Sequence, residues 1–182
     1  MPAFYTRKGD DGTTGLLGEG RVPKYALQPE TLGAIDEASA ALGLARAACQ
    51  AAQSGPIILE VQRDLYNLMT EIAASPENTD RFAKMSAERV VWLETQTDTL
   101  DAMIEMPDDF ILSGDSVAGA ALDLSRTIVR RAERRVAELW HKKILQNQEV
   151  LRYLNRLSSL CFVLELLENQ AAGRTSTTLA KG

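Results

Sequence analysis

The sequence predicts an all-α protein, a five-helix bundle in one domain, and three observations carry that reading. Ala and Leu supply 48 of the 182 residues and Val and Ile only 17, a balance that favours helix over strand. All six prolines lie at or before Pro107, so the last 75 residues hold no helix breaker of that kind. Apolar residues recur at three and four over long windows, the spacing of one buried helical face. At roughly 150 residues per domain, residues 1–182 make a single domain, large enough to bury a core without staples.

The first 25 residues stand apart from the bundle. They hold five of the twelve glycines, Gly9, Gly12, Gly15, Gly18 and Gly20, among threonines and charges. Neither helical nor strand periodicity fits them, so an ordered loop or a mobile arm is expected. From about Thr31, the expected cap, Leu32, Ile35, Leu42, Ala45 and Cys49 form the stripe of a first helix. Ser54-Gly55-Pro56 stops it and opens a second, with Ile58, Val61, Leu65, Leu68 and Ile72 in register. Ser75-Pro76 ends that one, and residues 76–84 read as a loop. A third helix runs from about Ser86, with Val90, Leu93, Thr97, Leu100 and Ile104, until Pro107-Asp108-Asp109 breaks it. Phe110-Ile111-Leu112 is a short apolar link. A long fourth helix is predicted from Ser116 to about Gln146, and a fifth from Glu149 to about Asn169. Residues 174–182 read as a polar, flexible tail. Short connections between five helices make a bundle.

Composition removes several chemistries. A lone histidine, His141, is read as a C-terminal-turn residue of the fourth helix and supports no His-rich metal site. Two cysteines, Cys49 and Cys161, make no disulfide framework and no zinc ribbon. A net charge of −5 argues against a nucleic-acid partner. No stretch reaches the roughly 18 apolar residues of a membrane span, and the first residues carry no apolar signal segment. A cytoplasmic location is the expectation, with no membrane partner.

Three features carry chemistry. Tyr5-Thr6-Arg7-Lys8-Gly9-Asp10-Asp11-Gly12-Thr13-Thr14-Gly15 combines backbone that can turn its N–H groups inward, hydroxyl donors and positive charge, with Lys24 close by. That suits a polyphosphate cradle or a solvated tail. It is not a Walker A loop, because Gly15 to Gly20 is followed by Arg21-Val22. On the fourth helix, Arg126, Arg130 and Glu133 share a narrow face with Arg134 beside it. That face borders the apolar stripe of Leu122, Val129, Ala132 and Val136, while Arg131 and Arg135 point away. Two arginines and a carboxylate suit a triphosphate with its Mg²⁺, and equally a solvated face of i,i+4 pairs. On the first helix Asp36, Ser39, Ala40 and Gly43 place a carboxylate among small residues, which invites close approach by another segment and an arginine partner. On the fifth, Asn155 either orients a ligand or bonds across the bundle.

Together these segments resemble the ATP:cob(I)alamin (corrinoid) adenosyltransferase family of the propanediol-utilisation type. The resemblance covers nearly the whole chain. It rests on residues 5–15 with Arg21-Val22-Pro23-Lys24, on Gly33-Ala34-Ile35-Asp36-Glu37, and on Phe110-Ile111-Leu112. Ser125-Arg126-Thr127-Ile128-Val129-Arg130-Arg131-Ala132-Glu133-Arg134 and Tyr153-Leu154-Asn155-Arg156-Leu157-Ser158 complete it.

The resemblance implies a homotrimer with active sites between subunits and ATP under the N-terminal segment, residues 1–25. ATP contacts would be Thr6, Arg7, Lys8, Gly9, Thr14, Gly15, Lys24, Arg130, Glu133, Arg134 and Asn155, with Glu133 toward Mg²⁺. Asp36 would pair with Arg126 of a neighbouring subunit, and Phe110 would displace the lower axial ligand of the corrinoid. The substrates are ATP and a reduced corrinoid, and the products are adenosylcobalamin and triphosphate. A corrinoid reductase or an adenosylcobalamin-dependent enzyme is the further partner to expect. Against the family pattern, Ser113-Gly114-Asp115 stands for Pro-Gly-Gly, Ser159 for Asp, and Ala34 for Thr, which puts a carboxylate, Asp115, on the expected corrinoid side. A non-catalytic ATP sensor or cofactor-delivery protein of the same fold, and a plain helical interaction module, are the rival readings.

Overall fold

The computed structural model describes residue 5 and residues 7–181. Among these it contains six α-helices and one two-stranded sheet. The long helices are α1 (Leu27–Ala48), α2 (Ser54–Ile72), α4 (Ala87–Asp101), α5 (Val117–His141) and α6 (Gln148–Ala171). They correspond to the five expected from periodicity. The expected loop at 76–84 instead holds a 3₁₀ turn, Pro76–Asn78, and the short helix α3 (Thr79–Phe82). Thr79 Oγ1 donates back to the Pro76 carbonyl and starts that turn without any apolar period to announce it.

Helix α1 begins four residues earlier than expected. Pro29 lies in the first turn, where its missing N–H removes no intrahelical bond. Thr31 is therefore not the cap. It is fully buried, and its hydroxyl donates to the Leu27 carbonyl at 2.6 Å. Helix α5 starts on the Ser116 hydroxyl, which accepts from the Gly119 amide, and stops at His141, five residues early. Its end is a reciprocal pair of bonds, Lys143 N–H to the Trp140 carbonyl and Ile144 N–H to the Leu139 carbonyl. Lys143 takes the left-handed conformation there, a place glycine usually fills, which explains why the sequence did not show the stop. Helix α6 ends in the same motif, with Gly173 in the left-handed position.

The core lies where α5 and α6 pack on each other, with α1 and α2 against one side and α4 against α6. Leu65, Leu68, Leu93, Leu122, Leu139, Leu154 and Leu157 are at most 1% exposed. Truncating any one to Ala costs about 2–5 kcal/mol. A polar knot ties three helices within this core. The Tyr153 hydroxyl donates to Asp64 at 2.8 Å, and Arg89 grips the same carboxylate with Nε and Nη2. At the other end of the bundle α5 and α6 nearly touch. A Cβ on Gly119 would lie 2.2 Å from Asn169 Oδ1, and Ser116 donates to that same oxygen.

The glycine-rich arm is structured. Strands β1 (Thr13–Gly15) and β2 (Arg21–Pro23) pair antiparallel, Thr14 opposite Val22. Arg21 staples the hairpin, donating to Thr13 Oγ1 and to the Lys8 and Thr13 carbonyls. The hairpin is anchored on the end of α2. Leu17 N–H donates to the Ala73 carbonyl, and Ser75 N–H donates to the Leu17 carbonyl. Gly18 is required there, since a Cβ would meet Ser75 Oγ at 1.9 Å.

The segment after Gly173, expected to be flexible, runs beside the Phe110–Leu112 link. Leu112 N–H donates to the Thr178 carbonyl and Ala180 N–H to the Phe110 carbonyl. Asp115 holds the tail, accepting from both the amide and the hydroxyl of Thr178. The Thr178 hydroxyl lowers the Asp115 carboxyl below its usual range.

Candidate functional site

An open cavity of about 700 Å³ lies where the 106–113 segment meets α5 and α6. Phe110, Asp123, Arg126, Arg130, Ser158, Ser159 and Phe162 line it. Three residues singled out from the sequence, Phe110, Arg126 and Arg130, thus share one wall system, although more than a dozen residues separate Phe110 from the other two. Pro107-Asp108-Asp109 ends the run after α4 and turns the chain toward the start of α5. The Asp109 carboxylate accepts from the Phe110 amide at 2.8 Å. Phe110 is 81% exposed, so it projects to solvent instead of plugging the bundle.

Arg126 does not meet Asp36 within the chain. It donates to Asp123, one turn earlier, at 2.8 Å. Asp36 is exposed and makes no ion pair among the described residues. The pairs between α1 and α5 are instead Glu37 with Arg131 and Glu30 with Arg135. Arg131 and Arg135, expected to point away, therefore serve the α1 seam. Arg130 and Arg134 are exposed and have no ion-pair partner among the described residues. A helix in which Arg131 and Arg135 are spent and Arg130 and Arg134 are free presents two cationic groups to an incoming anion.

Glu133 and Asn155 are joined across α5 and α6. Asn155 Nδ2 donates to Glu133 Oε1 at 2.8 Å, and Asn155 Oδ1 accepts from Arg156. No group of three or more His, Cys, Asp or Glu side chains among the described residues is arranged to hold a metal ion. Glu133 offers a carboxylate oriented by Asn155, which suits an ion that arrives on phosphate oxygens. In the arm, Gly9, Thr14, Gly15 and Lys24 lie in or beside the hairpin, on the end of α2. Lys24 spends its ammonium on the Gly9 carbonyl at 2.7 Å, and Arg7 stacks over the Tyr5 ring. Lys8 is held to the hairpin through its carbonyl, which accepts from Arg21. Thr6 lies outside the described residues. The chain's own arm and the Arg130 face are thus held on different elements.

Both thiols are inert. Burial pushes Cys49 and Cys161 up to about 12, so neither offers a thiolate nucleophile. Asp115, expected on the corrinoid side, has its carboxylate committed to Thr178. Residues missed from the sequence are Asp123, the partner of Arg126, and Glu165, a fully buried carboxylate on α6. The signal for Asp123 was its i,i+3 spacing to Arg126. For Glu165 it was one charge inside Val163-Leu164-Glu165-Leu166-Leu167.

Residues 4–168 match the family model described as cobalamin adenosyltransferase. The chain belongs to the cobalamin adenosyltransferase family. A corrinoid adenosyltransferase of Bacillus subtilis is 38% identical over 93% of this chain and 88% of its own length. The corrinoid adenosyltransferase PduO of Citrobacter freundii is 36% identical over 93% of this chain, which spans 51% of that relative's length. Among solved structures, an Arg-to-Lys variant of a PduO-type adenosyltransferase from Lactobacillus reuteri, complexed with ATP, superposes at a TM-score of 0.88 with 26% identity. It covers 98% of this chain and 100% of its own. A Phe-to-His variant from the same organism, complexed with cobalamin and ATP, gives 0.87 with 27% identity and covers 99% of this chain and 97% of its own. No helix among the described residues of this adenosyltransferase-family chain is long and apolar enough to cross a membrane.

Proposed function

We propose that this chain transfers the 5′-deoxyadenosyl group of ATP to the Co(I) of a reduced corrinoid. The observation that carries the reading is the convergence of Phe110, Arg126 and Arg130 on one cavity, with Arg130 and Arg134 making no ion pair among the described residues. In that reaction the cobalt electron pair forms the Co–C bond to the ATP 5′-carbon. The C5′–O bond breaks, and its electron pair leaves with triphosphate. No protein base or nucleophile is required, in keeping with the two neutral thiols and the lone histidine.

The chain's residues then have two tasks. Arg130 and Arg134 receive the growing charge of the leaving triphosphate. Glu133, oriented by Asn155, would hold the Mg²⁺ that accompanies the phosphates, and the ion would supply further charge neutralisation when bound. Phe110 and the apolar wall beside it exclude water and the displaced lower base from the cobalt, which favours the four-coordinate state. Positioning carbon and cobalt in line supplies the rest of the rate.

The functional unit in this proposal is a homotrimer with its active sites between subunits. The exposed α1 face of Asp36, Ala40 and Leu44 and the anchoring of the arm on α2 support it. The Asp36 carboxylate meets Arg126 of a neighbour, and the arm residues Thr6, Arg7, Lys8, Gly9, Thr14, Gly15 and Lys24 close over ATP. The cytoplasm, where thiols stay reduced, suits the free Cys49 and Cys161. A double-mutant cycle tests the assembly. Asp36→Asn and Arg126→Ala each lower turnover, and the combination is no worse than either alone. Strictly additive losses, or a wild type that sediments as a monomer, overturn the trimeric reading.

A further inference from the structure

Glu165 is the least expected group in the molecule. It sits on α6 with no exposed surface, and neither carboxylate oxygen has a hydrogen-bond partner. Buried carboxylates are normally paired, because an unpaired charge away from water is strongly unfavourable. The other buried carboxylates of this chain obey the rule. Asp64 holds Arg89 and Tyr153, Glu71 accepts from the Lys84 and Met85 amides, and Glu168 accepts from the Gln50 and Ala51 amides. Glu165 alone among them is left without a partner.

Its surroundings explain what it faces. The charges acting on it are Asp123 and Arg126 of α5 and Asp115 of the segment ahead of α5. On its own helix Cys161, which burial keeps neutral, stands one turn before it, and Glu168, which accepts from the Gln50 and Ala51 amides, one turn after it. Asp123 and Arg126 are the ion pair on the cavity wall. Arg126 therefore acts between two carboxylates, Asp123 in direct contact and the unpartnered Glu165 through its charge.

We propose that Glu165 is a positioning residue that sets which way the Arg126 guanidinium faces. Uncharged, it leaves Arg126 with Asp123 and available to the cavity and to the neighbouring subunit. Charged, it competes for the guanidinium and draws it toward α6. Burial and the nearby Asp123 raise the Glu165 carboxyl to about 7, so both forms are populated at neutral pH. The inference rests on the reading of Arg126 as part of the substrate site.

The test is the pH dependence of turnover and the titration of Glu165 itself, in wild type and in Glu165→Gln, which stays neutral at every pH and keeps nearly the same shape. The uncharged fraction falls about tenfold between about pH 6 and about pH 8. Wild-type kcat is expected to fall by that factor with KM for ATP unchanged, and the Glu165→Gln profile to stay level over the same interval. Carboxyl-carbon NMR of the full chain supplies a readout that needs no activity. Replacing Arg126→Gln removes the cation and should move the Glu165 titration to higher pH, and Asp123→Asn should move it lower. Superimposable profiles for wild type and Glu165→Gln, or a Glu165 titration unmoved by Arg126→Gln, overturn the proposal. If wild type transfers no adenosyl group at any pH, the functional reading fails and the NMR titration alone decides the coupling.

Discussion

Replacing Arg130 and Arg135 by alanine, one at a time, separates the cavity face of α5 from its structural face. Arg130 is exposed on the cavity wall and spends its guanidinium on no carboxylate among the described residues. Arg135 is held by Glu30 at 2.5 Å and by Glu138 at 3.5 Å. A hydrogen bond from an arginine to a charged acceptor is worth about 1.5–3 kcal/mol, and a bidentate grip on phosphate makes two. Arg130→Ala should therefore lower kcat/KM for ATP by about 10- to 150-fold per bond lost, with no loss of melting temperature, since no internal pair is broken. Arg135→Ala removes exposed ion pairs, worth about 1 kcal/mol or less each. It should cost a few degrees of melting temperature at most and leave kcat/KM within about twofold. The assay is steady-state adenosylation at varied ATP and saturating reduced corrinoid, with thermal melts of both variants. Equal kinetic losses from the two substitutions would refute the assignment of faces.

Phe110→Ala should leave the melting temperature nearly unchanged, because the ring is 81% exposed, while turnover falls most for a corrinoid with a tightly held lower base. A melting loss of the size expected for a core aromatic, with equal activity losses for both corrinoid types, would contradict its place at the cavity mouth. Asp115→Ala frees Thr178, so limited proteolysis should cut residues 174–181 faster than in wild type; unchanged cleavage would show that the tail is held by something else. The folded-state pKa of Glu165 lies above its ordinary value of 4.5, so the folded state binds the proton more tightly than the unfolded chain. Stability is fully supported below about 4.5 and declines as pH rises to about 7. Glu165→Gln should remove that slope in denaturant titrations, and a slope that persists in the variant would assign it to another group.

The five long helices were legible because each buries one face, and the three- and four-residue period of residues such as Leu65, Leu68 and Ile72 records that burial directly. Their ends were less legible. Pro29 reads as a breaker yet sits harmlessly in a first turn, and Lys143 occupies a position where a glycine would have announced the stop. The β-hairpin was hidden because its stability comes from Arg21 bonding to backbone and from Leu17 pairing with α2, neither of which leaves a period. The cavity residues were legible as a helical face, Arg126 and Arg130, and as a resemblance, Phe110. Which arginines are free and which are spent was not, because that depends on where Glu30 and Glu37 of α1 fall against α5. Asp115 shows the same limit. Its position in the chain suggested the corrinoid side, and only its contact with Thr178, 63 residues later, turns it to the tail.

The most direct test of the central claim is a single-turnover experiment on the full chain with Mg·ATP and a chemically reduced corrinoid, following the absorbance of the Co–C bond. The account predicts one adenosylcorrinoid and one triphosphate per ATP consumed, with no phosphate or diphosphate released, and a rate that collapses in Arg130→Ala. ATP consumed to ADP or AMP, or a corrinoid that stays unalkylated with ATP bound, would contradict it.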